Sequence, residues 1–406
     1  MKVLPVTRRR QQVAKGRLRE TIKLGLYLGT SPNSGGMFQY SLSILDALLR
    51  MRDGRCQVLV AYESADWEPY LEVRRVNAVK LNRKGLGWLW GRLCLPLFLW
   101  KRVFSRIDTT ARFFSKSQMD YWLFPAQDHW TYLCPLPAIG VVHDLMHRYE
   151  PRFPEVSNWG RYWLRQYRFR NICRSARIVL VDSRIGLRHV MESYGVPVAR
   201  IRPLQYVAPT YGYARSTPAD FDERFSLPPK FLFYPAQFWR HKNHTGLLRA
   251  VARLQAGYPD IRLVLTGGRR YEYEDVVREV KQLGLQDAVT FLGYVPDAYL
   301  PELYRRARAL VMPTFFGPTN IPPLEAQAQG CAVVVSDVYG MSELLGDSAC
   351  YINPGSEESI AEGIEKIWND DVYHASLRKK GLRRTRQWTP DHFSARLDEI
   401  LRALRR

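Results

Sequence analysis

Short apolar runs alternate with stretches of helical periodicity along most of this chain. Apolar runs of four to eight residues bounded by turn formers read as strands buried on both faces. Five such runs precede residue 207: Ile22–Gly29, Cys56–Tyr62, Tyr121–Ala126, Ala138–His143 and Arg177–Ser183. Five follow it: Phe231–Ala236, Ile261–Gly267, Ala288–Gly293, Ala309–Pro313 and Ala332–Ser336. Apolar positions at helical spacing fill the gaps, as in Phe38–Met51, His244–Leu254, Asp297–Ala307 and Glu357–Trp368. Strand–helix alternation on this scale predicts an α/β protein with parallel sheets and right-handed crossovers.

Between the two sets lies Val207–Lys230, with Pro209, Pro218, Pro228 and Pro229 among polar residues. It reads as a linker. The expected organisation is a basic arm over 1–20, a Rossmann-like domain over 21–208, a second over 209–388, and a terminal helix over 389–406. That helix carries Phe393, Leu397, Ile400, Leu401 and Leu404 on one stripe and must pack back across the domains. Open parallel sheets present ligand crevices at the carboxyl ends of their strands, so two in tandem predict a central cleft.

With 46% apolar and 24% charged residues in 406, the composition is that of a globular protein and excludes collagen-like and disordered classes. The charge changes the picture. A balance of +21 points to a polyanionic neighbour. Nine Lys or Arg fall between Lys80 and Lys116 against one acid, Asp108, and Trp, Leu and Phe are interleaved with them. Arg161, Arg165, Arg168, Arg170, Arg174 and Arg177 form a second run without acids. Basic and aromatic faces together suit an anionic membrane surface. Nucleic acid is the weaker reading, because no recognisable binding module appears. The longest apolar stretch, Gly85–Trp100, is interrupted by Arg92 and is too short to span a bilayer. Six cysteines without a CxxC pair argue for a reducing compartment and against zinc. The expected location is cytoplasmic, peripheral on the inner face of the membrane.

Four segments carry candidate chemistry. Gly29–Gly36, with Gly35 and Gly36, follows a strand and opens a helix, which exposes N–H groups to an anion. His143 and Asp144 end a strand, where an imidazole can hydrogen-bond a substrate hydroxyl or shuttle a proton. Arg240, His241, Lys242, Asn243 and His244 open a helix of the second half, and two cations there suit a diphosphate. The two histidines lack a carboxylate or Cys companion, so no metal is expected. Met312–Ala326 joins a strand to a helix through Gly317, Pro318, Thr319, Asn320 and Ile321. Its Glu325 can accept from ribose hydroxyls. Each segment also has a plain structural reading as a tight turn, a core histidine, a solvated basic turn or a helix-starting loop.

The order of these motifs, followed by Gly330–Ser336 and Ser342–Asp347, resembles the retaining glycosyltransferases of family 4 with the GT-B fold, over about residues 22–390. It resembles a branch with His-Lys-Asn-His and Gly-Pro-Thr-Asn-Ile-Pro-Pro-Leu-Glu-Ala. The resemblance implies two Rossmann-like domains facing a cleft, the acceptor on the first and the nucleotide-sugar donor on the second. It implies that Gly35 and Gly36 close on the donor diphosphate, that His143 contacts the transferred sugar, and that Lys242, helped by Arg240, holds the diphosphate. Glu325 would hold the ribose, and Gly293, Tyr294 and Val295 would meet the base. It further implies metal-independent transfer of a hexose, mannose favoured, from a GDP-sugar ahead of a UDP-sugar. The acceptor would be lipid-linked or a polysaccharide, and no cofactor is implied.

Two positions depart from the family pattern. Gly317 stands where the first glutamate of a Glu-x7-Glu pair is expected, and Gln237 stands where an arginine often precedes the lysine. Backbone N–H groups with Thr319 or Asn320 would contact the donor instead. The Gly317 change also supports an alternative, a non-catalytic homologue that binds sugar nucleotide or glycan. A sugar-nucleotide epimerase shares the fold but not the Lys-Asn and Pro-Leu-Glu-Ala motifs.

Overall fold

The computed structural model describes residues 21–31, 35–51, 56–81, 85–317 and 319–404. The expected basic arm over 1–20, the tip of the Gly29–Gly36 loop and Pro318 lie outside the described residues.

The first domain holds strands β1 (Ile22–Leu28), β2 (Cys56–Tyr62), β3 (Ala78–Lys80), β4 (Tyr121–Phe124), β5 (Ala138–Val142), β6 (Ile178–Val181) and β7 (Ile201–Pro203). They pair in the order β3-β2-β1-β4-β5-β6-β7, all parallel. The second domain holds β8 (Leu232–Pro235), β9 (Leu263–Thr266), β10 (Val289–Phe291), β11 (Ala309–Met312), β12 (Ala332–Ser336) and β13 (Cys350–Ile352). Their order is β10-β9-β8-β11-β12-β13, again all parallel. The first and fourth strands of each domain lie side by side at a point where strand order reverses, so each sheet opens a crevice there. Central strands such as β5, β11 and β12 are buried along their whole length, which is why they are continuous apolar runs in the sequence.

Seven helices matter below: α1 (Gly36–Arg50), α2 (Leu86–Leu93), α3 (Leu97–Arg102), α4 (Arg161–Ser175), α5 (His244–Gln255), α6 (Pro322–Ala328) and α7 (Pro390–Ala403). α7 lies against α1 of the first domain. Ser394 Oγ donates to Ala47 O at 2.9 Å, and Phe393 meets Tyr40 edge-on at 6.1 Å. The stripe Phe393, Leu397, Ile400 and Leu401 is buried there. Thr389 and His392 close a capping box at its start, and Pro390 suits the first turn. Among the described residues no helix is long and apolar enough to cross a membrane. Pro96 separates α2 from α3: Cys94 takes a left-handed conformation and Pro96 is the N-cap of α3.

Candidate functional site

Between the carboxyl ends of the two sheets lies a cleft of about 650 Å³. The first domain contributes the start of α1, the ends of β4 and β5, and one side of α4. The second contributes the loops after β8, β9, β10 and β11 and the start of α6. Gly35, Gly36, His143, Lys242, Tyr294, Val295, Thr319, Asn320, Ile321 and Glu325 all line it. The sequence separates these residues by up to 290 positions, and the strand ends bring them together.

Gly35 opens α1 with φ 59; as a glycine it offers no side-chain cap, and no acid stands in the first turn of the helix. The N–H groups at its start therefore retain their partial positive charge. A Cβ on Gly35 would lie 3.9 Å from Gln237 Nε2, and one on Gly36 would lie 3.8 Å from Ile321 Cδ1. The loop thus faces the second domain directly. Lys242 ends a single 3-10 turn, Arg240–Lys242, before α5. Burial pulls its ammonium down to about 8, against the attraction of Glu155 and Asp144. Its Nζ donates to Asn320 Oδ1 at 3.4 Å.

Glu325 is 5% exposed. Its carboxylate accepts from Tyr211 Oη at 2.5 Å and Tyr304 Oη at 2.6 Å. Burial pushes its pKa up to about 7, and the two tyrosine hydroxyls pull the other way. Two of the roughly four lone-pair positions of a carboxylate remain. Gly317, which replaces the expected glutamate, has φ 120, a conformation side chains other than glycine resist. A Cβ there would meet Asn320 Nδ2 at 2.8 Å and Oδ1 at 3.0 Å. The Asn320 carboxamide occupies the space beside Gly317 and reaches Lys242, so the loop is built around the missing side chain.

Four placements differ from expectation. Arg240 is exposed and is not a lining residue; its charge acts on Glu272. Gly293 also lies outside the lining, its carbonyl accepting from Gly267 N at 2.8 Å and Thr266 Oγ1 at 2.5 Å. His143 lines the cleft, but both ring nitrogens are occupied. Nε2 donates to Pro125 O at 2.8 Å and Nδ1 accepts from Tyr206 Oη at 2.7 Å. Burial draws its pKa to about 4, so the ring is neutral and has no nitrogen left for a sugar hydroxyl or a proton. The neighbouring Asp144 pairs with Arg165 at 2.5 Å. Thr319 gives its hydroxyl to Asp182 of the first domain and not to the cleft.

Sequence reasoning passed over Arg270 and read Arg165 and Arg168 only as part of a basic run, yet all three line the cleft. Arg270 donates from Nε to Gln237 Oε1 at 3.3 Å and sits 5.6 Å from the Trp239 ring centre. It brings a cation from the loop after β9 to the place where Gln237 supplies none. The signal for the other two was helical spacing. Arg161, Arg165 and Arg168 share one face of α4, while Arg170 and Arg174 lie on another.

Residues 217–384 match the family model described as Glycosyl transferases group 1. The chain is 29% identical over 224 residues to O-antigen chain mannosyltransferase B of Escherichia coli, covering 53% of this chain and 58% of that one. It is 34% identical over 149 residues to the O-antigen chain mannosyltransferase RfbU of Salmonella typhimurium, covering 37% of this chain and 41% of that one. The chain therefore spans about half the length of these curated relatives. The crystal structure of the Anabaena protein HepE in complex with UDP and glucose superposes with a TM-score of 0.73 at 16% identity. That match covers 94% of this chain and 100% of the other. The likeness shows the fold, which is GT-B: two Rossmann-like α/β domains facing one cleft.

Proposed function

From a chain that carries a group 1 glycosyl transferase domain in a GT-B frame, we propose a retaining, metal-independent hexosyltransferase. It would move mannose from a nucleotide diphosphate sugar, GDP-mannose ahead of UDP-sugars, to a hydroxyl of a lipid-linked or polysaccharide acceptor. It would work as a peripheral protein at the cytoplasmic face of an anionic membrane, with no cofactor. One observation carries the reading. Lys242 and Glu325, beyond the carboxyl ends of strands of the second sheet, share a cleft with the glycine-led start of α1. The mannose preference is supported by what the matched relatives are named, mannosyltransferases of O-antigen chains.

In this reading Lys242 and Arg270 neutralise the diphosphate, Glu325 accepts from the ribose, and Tyr294 and Val295 flank the base. Gly35 and Gly36 close over the diphosphate from the first domain, and Asn320 holds Lys242 in place. The leaving phosphate oxygen takes the proton of the attacking hydroxyl, and the new glycosidic bond forms on the face the phosphate leaves. The protein then contributes positioning and stabilisation of leaving-group charge. A thermal-shift panel of GDP, UDP, ADP, dTDP and their sugar conjugates in EDTA tests the donor site. Selective stabilisation by one base is the expected result. No shift with any nucleotide, repeated with magnesium and manganese, would overturn it. The non-catalytic alternative rests on Gly317 alone, and transfer or slow hydrolysis of the donor excludes it.

A further inference from the structure

We propose that α2, α3 and the outward face of α4 form one docking surface for an anionic lipid bilayer, set back to back with the cleft. It deepens the reading above and rests on it only for the acceptor.

The first observation is apolar exposure. α2 and α3 pack inward through Trp90 and Trp100, whose ring centres lie 5.7 Å apart, and Trp100 Nε1 donates to Leu133 O at 2.8 Å. A Cβ on Gly87 would lie 2.4 Å from Trp130, so α2 sits hard against the domain. Its core needs are met by that inner face. Yet Leu93, Phe98 and Ile107 are 56%, 68% and 58% exposed, with Trp88, Leu89 and Val103 beside them. Exposed apolar side chains gathered on two consecutive helices and the turn after them mark an interaction surface.

The second observation is charge. Residues 85–119 hold six cations, Arg92, Lys101, Arg102, Arg106, Arg112 and Lys116, all exposed, and one acid. That acid, Asp108, is 2% exposed and is consumed as a cap, accepting from Ala111 N at 2.9 Å and Gly87 N at 3.1 Å. Within residues 85–119 no exposed carboxylate offsets the cations, and the next acid, Asp120, accepts from Lys23 N at 2.8 Å. α4 extends it. Tyr167 Oη donates to Leu95 O at 2.6 Å, and Trp163, Arg170 and Arg174 share the stripe of Tyr167. Trp163 is 72% exposed. Nucleic acid would answer the cations but not the exposed Leu93, Phe98 and Ile107. A bilayer with anionic headgroups answers both, with apolar side chains below the headgroups and Arg and Lys among them.

The third observation is alignment. Arg165 and Arg168 line the cleft from the side of α4 opposite Trp163, Arg170 and Arg174. A helix with its side chains is about 10–12 Å across. Docking on the outward stripe thus brings the first-domain side of the cleft within about one helix diameter of the headgroups. A lipid-linked acceptor would reach it without leaving the bilayer.

The test is flotation of the full chain with vesicles, read without donor or sugar. Wild type is expected to float with vesicles of phosphatidylethanolamine and phosphatidylglycerol and not with phosphatidylcholine alone. It should release at about 1 M salt, where the screening length falls to about 3 Å. Leu93→Ser with Phe98→Ser, both at exposed positions, should bind at least about tenfold more weakly. Lys101→Glu with Arg102→Glu should also weaken binding. Wild type that stays down with anionic vesicles overturns the proposal, as does an apolar variant that floats like wild type. So does a wild-type dimer in light scattering that the apolar variant turns into a monomer, since a second copy would then own the face. The nucleotide-induced melting shift checks that each variant is folded. Vesicle binding without that shift sinks the transferase reading alone; the shift without vesicle binding sinks the docking surface alone.

Discussion

At the scale of single residues, the cleft is governed by burial of charge. Lys242 falls from an ordinary 10.5 to about 8 in the folded chain. Between those values the unfolded chain holds a proton that the folded chain has released, so stability rises with pH across that window. Anion binding runs the other way, because it needs the ammonium. Affinity for a nucleoside diphosphate, read by calorimetry, should fall as pH climbs through about 8. Lys242→Met should bind weakly at every pH and lose the dependence; an unchanged profile would remove Lys242 from the diphosphate. Lys242→Ala should lower turnover by about two to three orders of magnitude, as loss of one charge-stabilising donor does. Gly317→Glu tests whether the loop tolerates the family's usual residue. With φ 120 and the Asn320 carboxamide where a Cβ would go, the substitution should cost about 1–3 kcal/mol in urea unfolding. An equally stable variant would show that the loop is not built around glycine.

At the scale of elements, ten apolar runs read from the sequence are strands of the two sheets. Three strands were not legible: β3, β7 and β13, each of three residues at a sheet edge. An edge strand is covered less fully and needs no long apolar run, so Ala78–Lys80 carries no pattern to read. α7 was legible as an amphipathic stripe, but its partner was not, because periodicity reports a buried face and not what buries it. The structure assigns that face to α1, some 340 residues earlier in the chain. Phe393→Ala should therefore cost about 3–5 kcal/mol in chemical denaturation, a core-sized loss for a residue near the chain's end. A loss below about 1 kcal/mol would mean that α7 is only loosely held.

At the scale of the whole molecule, side-chain bonds tie the domains across the cleft. Gln39 Nε2 donates to Asp297 Oδ2 at 2.8 Å, Thr319 donates to Asp182, and Tyr339 Oη donates to Glu150 Oε1 at 2.8 Å. His241 donates to Glu155 through its backbone N–H, at 2.9 Å, and through Nδ1. Its ring stacks on Phe316 at 3.9 Å. Burial lowers His241 from an ordinary 6.5 to about 4, and the His241 bonds hold the Glu155 carboxyl below its usual range. In a state with the domains apart, His241 would regain its ordinary value. As pH falls from 6.5 toward 4 that open state gains a proton the closed state does not, so closure weakens across that window. The radius of gyration in small-angle scattering should grow over that range. Glu155→Ala should show a larger radius already at neutral pH, since it leaves two buried donors unmet at about 1–3 kcal/mol each. A radius insensitive to both changes would show that this contact does not hold the domains.

The amino-acid pattern alone determined the α/β class and the two-sheet organisation, because burial on both faces and strand–helix alternation are local signals, and it singled out four segments that the fold brings to one cleft. It also marked His143 at the carboxyl end of an apolar run, and Lys242 and Glu325 in the segments that join such runs to the next helix. Only the tertiary structure decided what each side chain is free to do. It committed both nitrogens of His143, turned Arg240 outward, gave Thr319 to Asp182, and brought Arg270 in beside Gln237. It also divided one basic run, Arg165 and Arg168 to the cleft and Arg170 and Arg174 to the opposite side. The reason is the same each time. A hydrogen bond or a facing direction is set by what packs alongside, and those partners come from positions far away in the chain.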